Sequence, residues 1–214
     1  MAKEVELGVL AEFIPNAAVA PIIDYLHWHG IHLKIRRERK TKYGDYTPAH
    51  RGQPHTITVN GNLNPYHFLV TLLHEIAHLE THVQYGRSVL PHGKEWKKAF
   101  GLLLHRFGPL GVFPNDVWQA LARYAENPAA SSCGDVDLFK ALRRYDVVEV
   151  GSSESGRKVL VNELVANDCF RTAKGDRFRV LEKKRTRVVC EHTSTLVKYL
   201  FPAIHEVFKE NSDL

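Results

Sequence analysis

Residues 71–80 read TLLHEIAHLE, with His74 and His78 four positions apart and Glu75 directly after the first histidine. On an α-helix, residues four apart share a face and lie about 6 Å apart along the axis. Both imidazoles can therefore turn toward one metal ion, with Glu75 beside the position the ion leaves open. That is the mechanical content of an HExxH motif: two neutral nitrogen ligands and a general base for a metal-activated water. The surrounding residues 62–82, NLNPYHFLVTLLHEIAHLETH, predict one long, mostly buried helix. Asn64 suits the N-cap and Pro65 the first helical position, and Phe68, Leu69, Leu72, Leu73, Ile76 and Leu79 supply a broad apolar surface. Two histidines on such a face need partners to offset their desolvation, which favours a metal over an ordinary amphipathic helix.

A catalytic zinc takes three protein ligands and keeps a fourth position for water. His82 continues the i, i+4 series but lies about 12 Å along the axis from His74, too far to share one ion. The longer pattern HExxHxxGxxH fails, because Thr81 and Gln84 occupy its glycine and last histidine positions. The next segment, PHGKEW at 91–96, offers His92 at the start of a following helix, with Glu95 as its rival. His92 is favoured, because a helix start can be aimed at the metal and Gly93 lets the backbone pack closely.

Upstream, apolar residues at helical spacing run through 4–29, with Pro15 and Asn16 as break and cap and Gly30 as stop. Alternation through Ile31, Leu33 and Ile35 predicts a half-buried strand, YGDYTPAHRGQP (43–54) a turn region, and HTITVNG (55–61) a second strand. Downstream, 85–93 reads as a loop and KEWKKAFGLLLHRF (94–107) as a helix. Two further short helices follow, capped by Asn115 or Asp116 and by Asp135. From Val147 the texture turns to alternating β-branched segments, VVEV, RKVLV, DRFRVLE, RTRVVCEH and TLVKYLF, with GSSESG (151–156) as a loop among them. The expected fold class is α+β: helices with a small sheet over 1–145, then a small, basic, β-rich region over 146–214.

The 214 residues are 44% hydrophobic and 25% charged, enough to bury a core. No apolar run reaches the roughly 18 residues of a membrane span. The N-terminus carries Glu4, Glu6 and Glu12 where a secretory signal would be basic and then apolar, so the expected location is the cytoplasm and no membrane partner is expected. Cys133, Cys169 and Cys190 form no CxxC pair and read as small buried thiols. The net charge of +5 is uneven. Basic residues cluster between Lys34 and Lys42. They cluster again at Arg171, Lys174, Arg177, Arg179, Lys183, Lys184, Arg185 and Arg187, where they could grip the phosphates of DNA or keep an exposed sheet soluble.

TLLHEIAH (71–78), a loop and PHGKEWKKAF (91–100) together resemble the SprT-like family, zincin-fold metallopeptidases related to the DNA–protein crosslink protease Spartan. The segments 31–48, 122–135 and 175–202 are similar to bacterial members, so the resemblance covers nearly the whole chain. It implies a zincin-like core, one zinc ion held by His74, His78 and His92, and peptide-bond hydrolysis with Glu75 as general base. It further implies a protein or peptide substrate, with DNA-associated proteins as one class. Many members carry a C-terminal four-cysteine zinc ribbon. This chain lacks those cysteines, so one metal site is expected. Tyr46, His82 and Tyr85 are candidates for stabilising an oxyanion, and residue type does not choose among them. Trp96 reads as core packing more readily than as cleft lining, and His27, His29 and His32 as a hydrophilic edge more readily than as a second metal site. The competing function is a nucleic-acid-binding protein that keeps the zincin scaffold without turnover. An intact Glu75 favours the peptidase, and the Arg171–Arg187 stretch favours the alternative.

Overall fold

A computed structural model describes residues 3–4, 8–39, 41–126, 128, 135–146 and 157–210. The chain is mixed α and β and divides into two compact units, Met1–Val147 and Val148–Leu214.

In the first unit the described elements are β1 (Lys3–Glu4), α1 (Asn16–Trp28), β2 (Ile31–Arg36), β3 (Gly44–Thr47), β4 (His55–Asn60), α2 (Pro65–Tyr85), α3 (Lys94–Phe107), α4 (Asn115–Glu126) and α5 (Val136–Arg143). The sheet order is β1-β2-β4-β3. β2 and β4 run parallel, and β3 lies antiparallel to β4 at the edge. Alternation along these strands sends Ile31, Leu33, Ile57 and Val59 into a core shared with α1, α2, α3, α4 and α5. Thr56 and Thr58 take the opposite face, in register with Thr47 and Asp45 of β3 and with His32 and Lys34 of β2.

α2 is the centre of this unit, with every residue from His67 to Ala77 buried. Its start is fixed chemically. The Asn64 side chain accepts from the N–H groups of Tyr66 (3.1 Å) and His67 (3.0 Å), while its amide donates to Leu142 O (2.9 Å) and Asp146 Oδ1 (2.6 Å). One residue thus satisfies two orphan donors of the helix and ties that end to the end of α5.

Four local expectations need correction. The stretch 43–54 is not all turn, because Gly44–Thr47 form β3. An edge strand pairs on one side only, and four residues with a glycine and a threonine give little alternation to read. Asn16 is the first residue of α1 and not its cap, the cap position being Pro15. Asn115 likewise opens α4 from within the helix. Leu10–Glu12, expected on a helix, form a single 3-10 turn.

The second unit holds β5 (Arg157–Leu160), β6 (Cys169–Arg171), β7 (Arg177–Lys183), β8 (Arg187–His192), β9 (Lys198–Pro202) and β10 (Glu206–Lys209). All its pairings are antiparallel, in the order β5-β10-β6-β7-β8-β9. The sheet encloses its own core of Val159, Val161, Leu164, Phe170, Phe178, Val180, Val188, Cys190 and Val207. Three-residue β6 and four-residue β10 are too short to announce themselves by alternation. VVEV, GSSESG and Cys133 lie outside the described residues. Cys190 is buried and Cys169 partly exposed, both as thiols. Among the described residues no helix is long and apolar enough to cross a membrane.

Candidate metal centre

Helical spacing on α2 brings His74 and His78 onto one face, and the loop after Gly86 returns the chain so that His92 meets them. The three Nε2 atoms form a triangle with sides of 3.1 Å (His74–His92), 3.3 Å (His74–His78) and 2.9 Å (His78–His92). Ligands on a tetrahedral ion with bonds of about 2.0 Å are about 3.3 Å apart, so the triangle has the size of one face of such a shell. Among the described residues this is the one group of three His, Cys, Asp or Glu side chains whose ligand atoms all lie within 4.8 Å of one another, and it could hold a metal ion. Three imidazole nitrogens pointing at a common centre cannot all be satisfied by hydrogen bonds among themselves, since a neutral ring carries one N–H. A cation at the centre satisfies all three.

Burial sets their protonation. It lowers His74 to about 3 and His78 to about 4, with the neighbouring imidazoles adding to the effect, and it lowers His92 as well. All three rings are therefore neutral at physiological pH, the form in which nitrogen donates a lone pair to a metal.

His92 reaches its place at a backbone cost. Its φ is +60°, in the left-handed region that L-residues avoid by about 1–2 kcal/mol. Gly93 permits the tight return, since a Cβ there would stand 3.0 Å from Leu90 O. Strain of this kind at a ligand residue is held by surrounding packing. Trp96, in the first turn of α3, supplies that packing. Its fully buried ring lies 4.6 Å from His74, 5.4 Å from His78 and 4.8 Å from His92 between centroids, and stacks on Phe100 at 5.1 Å. Trp96 is core, and the part of the core against which all three imidazoles rest.

Glu75 is buried at 8% exposure between α2 and the edge strand. Burial pushes its carboxyl up to about 8. The Asp45 carboxylate adds to the rise, and Arg39, Lys42 and the Tyr46 main-chain N–H, which donates to the carboxylate, oppose it. The strand reaches this close because residue 44 is glycine: a Cβ there would lie 2.5 Å from Glu75 Oε1 and 2.8 Å from Thr71 Cγ2. Gly44→Val is therefore expected to displace Glu75 or β3. We expect it to destabilise the fold by about 1–3 kcal/mol, read by chemical denaturation. An unchanged denaturation midpoint would show that the strand can move aside.

The remaining candidates are placed as follows. Glu95 stands outside the triangle, with its carboxylate 3.7 Å from the Lys94 ammonium. His82 lies one turn beyond His78 and faces the rings of Tyr46 and His55 at 6.0 and 6.4 Å. The Tyr46 hydroxyl is 2.8 Å from His55 Nδ1, which also accepts from Ala49 N–H, so the tyrosine donates its proton to the histidine. Tyr85 is partly buried at the last position of α2. His27 and His32 are exposed, and His29 stacks on Tyr25 at 4.3 Å.

In the second unit, Arg171 and Arg177 converge on one carboxylate, that of Glu210, at 3.0 and 2.7 Å. The Lys183 ammonium donates to Asn162 O at 2.7 Å, and Arg179 stands opposite Glu191 in the β7–β8 register. Lys174, Lys184, Arg185 and Arg187 are exposed on turns and strand ends. Three of the eight, Arg171, Arg177 and Lys183, are thus engaged within the second unit.

No family model, curated protein or solved structure matches this chain.

Proposed function

We propose that the chain is a zinc-dependent metallopeptidase of the SprT-like type with a zincin-like core, hydrolysing peptide bonds in protein substrates. The observation that carries this reading is the His74–His78–His92 triangle with the buried Glu75 carboxylate on the same helix. When bound, a zinc ion supplies Lewis acidity, acidifying a water and polarising a carbonyl. Three neutral nitrogens suit zinc, though the same donors accept other divalent transition metals. Glu75 takes the proton of the attacking water and returns it to the leaving amine, a role that rewards a carboxyl raised toward neutrality. Trp96 and the core behind it hold the imidazoles and keep that side dry. Among the described residues β3 is paired on one side only, and it adjoins Glu75, so an extended peptide can add to its open edge by main-chain hydrogen bonds. DNA-associated proteins are a substrate class consistent with the exposed Lys174, Lys184, Arg185 and Arg187.

The test is metal dependence of cleavage of an unstructured protein such as casein. Chelation is expected to reduce cleavage to background, and one equivalent of zinc per chain to restore it. Cleavage that persists in the chelated protein would reject the reading. Specific nucleic-acid binding by a metal-loaded chain with no turnover would favour the scaffold alternative.

A further inference from the structure

The sheet of the second unit ends in an edge that its own chain leaves open. The last strand in its order, β9, pairs with β8 alone among the described residues. Its free side follows from the ladder. His192 N–H donates to Val197 O (2.9 Å) and Ala203 N–H to Thr186 O (3.0 Å), so residues 197, 199, 201 and 203 turn their main-chain groups toward β8. Between them Lys198 and Leu200 turn N–H and C=O outward. Pro202, which has no N–H to leave unpaired, turns only its C=O outward.

The side chains along this edge are apolar. Tyr199 and Phe201 share the face of Cys190 and Val188, which belong to the unit's core. The Tyr199 ring meets Phe178 edge-on at 5.4 Å, yet the residue is 47% exposed and Val197 before it 50%. Leu200, on the opposite face, and Leu196 are exposed as well. The core therefore runs out to β9 and stops without a covering strand. The other edge of the sheet is guarded, because β5 carries the exposed Lys158, a charge of the kind that keeps a free edge from pairing. Charge along β9 is lopsided. At one end Lys198 stands opposite Glu191. At the other, Arg187 stands opposite Pro202, with Lys184 and Arg185 in the adjoining turn. These three are exposed, and none forms an ion pair with a described residue.

We propose that the β9 edge binds an extended segment of another protein, apolar at alternate positions and acidic at the end beside Pro202, independently of the metal site. Added antiparallel, as every pair in this sheet is, the segment takes up the outward groups of Lys198 and Leu200 and lays its inward side chains on Val197 and Tyr199. An antiparallel segment starts where β9 finishes, so its acidic residues precede its apolar ones. Their carboxylates meet Lys184, Arg185 and Arg187, where hydrogen bonds assisted by charge are the strong ones. Charge also selects against a second copy of this chain. Pairing β9 with β9 about a two-fold axis would bring each basic end against the other's Lys198, and like charges on facing strands are destabilising.

The experiment is fluorescence anisotropy of the full chain with a labelled peptide of three glutamates followed by three valine–threonine repeats. Two further peptides are compared, one with lysines in place of the glutamates and one N-methylated at alternate residues of the repeats. The protein variants are Leu200→Pro, which removes an outward N–H and no ladder bond, and Lys184→Glu/Arg185→Glu, each verified as folded by circular dichroism. Wild type is expected to bind the glutamate peptide saturably. Affinity should fall about tenfold or more with N-methylation, which tests the edge without altering the protein, and as much in Leu200→Pro. The charge variant should lose about tenfold and come to prefer the lysine peptide. Sedimentation of wild type alone should show a monomer. The proposal is overturned if wild type shows no saturable binding, if N-methylation or Leu200→Pro leaves affinity unchanged, or if the lysine peptide binds wild type as tightly. It is equally overturned if wild type is a dimer that Leu200→Pro dissociates, which would assign the edge to a second copy.

Discussion

Glu75→Gln is expected to lower kcat by about 10²- to 10⁴-fold, the range a positioned general base contributes, while the protein keeps its metal and its fold. The substitution preserves shape and removes only the ability to take a proton. The site accommodates it, because the Tyr46 N–H can donate to the amide oxygen as it does to the carboxylate. Above about pH 8, where Glu75 ionises, the substitution also removes a charge that burial disfavours, so stability there should hold or rise. Steady-state kinetics on a cleaved substrate, with zinc content measured on the same preparation, separates the two effects. Equal loss of activity and zinc would mean that Glu75 supports the ligands and is not the base. Undiminished kcat would remove it from the chemistry altogether.

Trp96→Ala carries the largest expected effect on stability, about 3–5 kcal/mol for a buried aromatic side chain. The ring is fully buried, and three of its neighbours are the imidazoles themselves. The cavity would let His92, held at φ +60°, relax out of position. Zinc affinity should accordingly fall by about 10- to 100-fold, the usual cost of losing a group that orients metal ligands. Trp96→Phe keeps most of the packing and should recover most of the affinity. The indole N–H finds no acceptor among the described residues, so no hydrogen bond is lost in that exchange. Guanidinium denaturation of the metal-free chain and zinc competition titration give the two quantities. Full zinc affinity in a folded Trp96→Ala would show that the histidines hold their geometry unaided.

The helix that builds the centre was legible in the sequence because its signals are local. Asn64 and Pro65 mark its start, and the i, i+4 pair His74 and His78 needs only helical geometry to converge. The α+β texture and the strands β2, β4, β7 and β8 were legible for the same reason, each alternating over six or seven residues. What escaped is long-range or stereochemical. β3 is defined by its pairing with β4 and not by its own composition, so the wall behind Glu75 could not be read. Gly44 looked like a turn glycine, and its purpose is the room it leaves for a carboxylate 31 positions away in the chain. The left-handed backbone at His92 has no residue signature, since glycine, the usual occupant, stands one position later. The spacing of Trp96 marked it as core and gave no sign that its neighbours would be the three histidines. The basic run of the second unit read as eight equivalent charges until Glu210, more than twenty positions beyond the last of them, came to pair with Arg171 and Arg177.

The proposed function rests on His74, His78 and His92 holding one metal ion together. It is tested most directly by elemental analysis of the purified chain beside His92→Ala. Close to one zinc per wild-type chain is expected, and near-complete loss in a His92→Ala protein that remains folded by circular dichroism. A wild-type chain that takes up no divalent metal, or a His92→Ala variant that holds it as tightly, would rule out this three-histidine site.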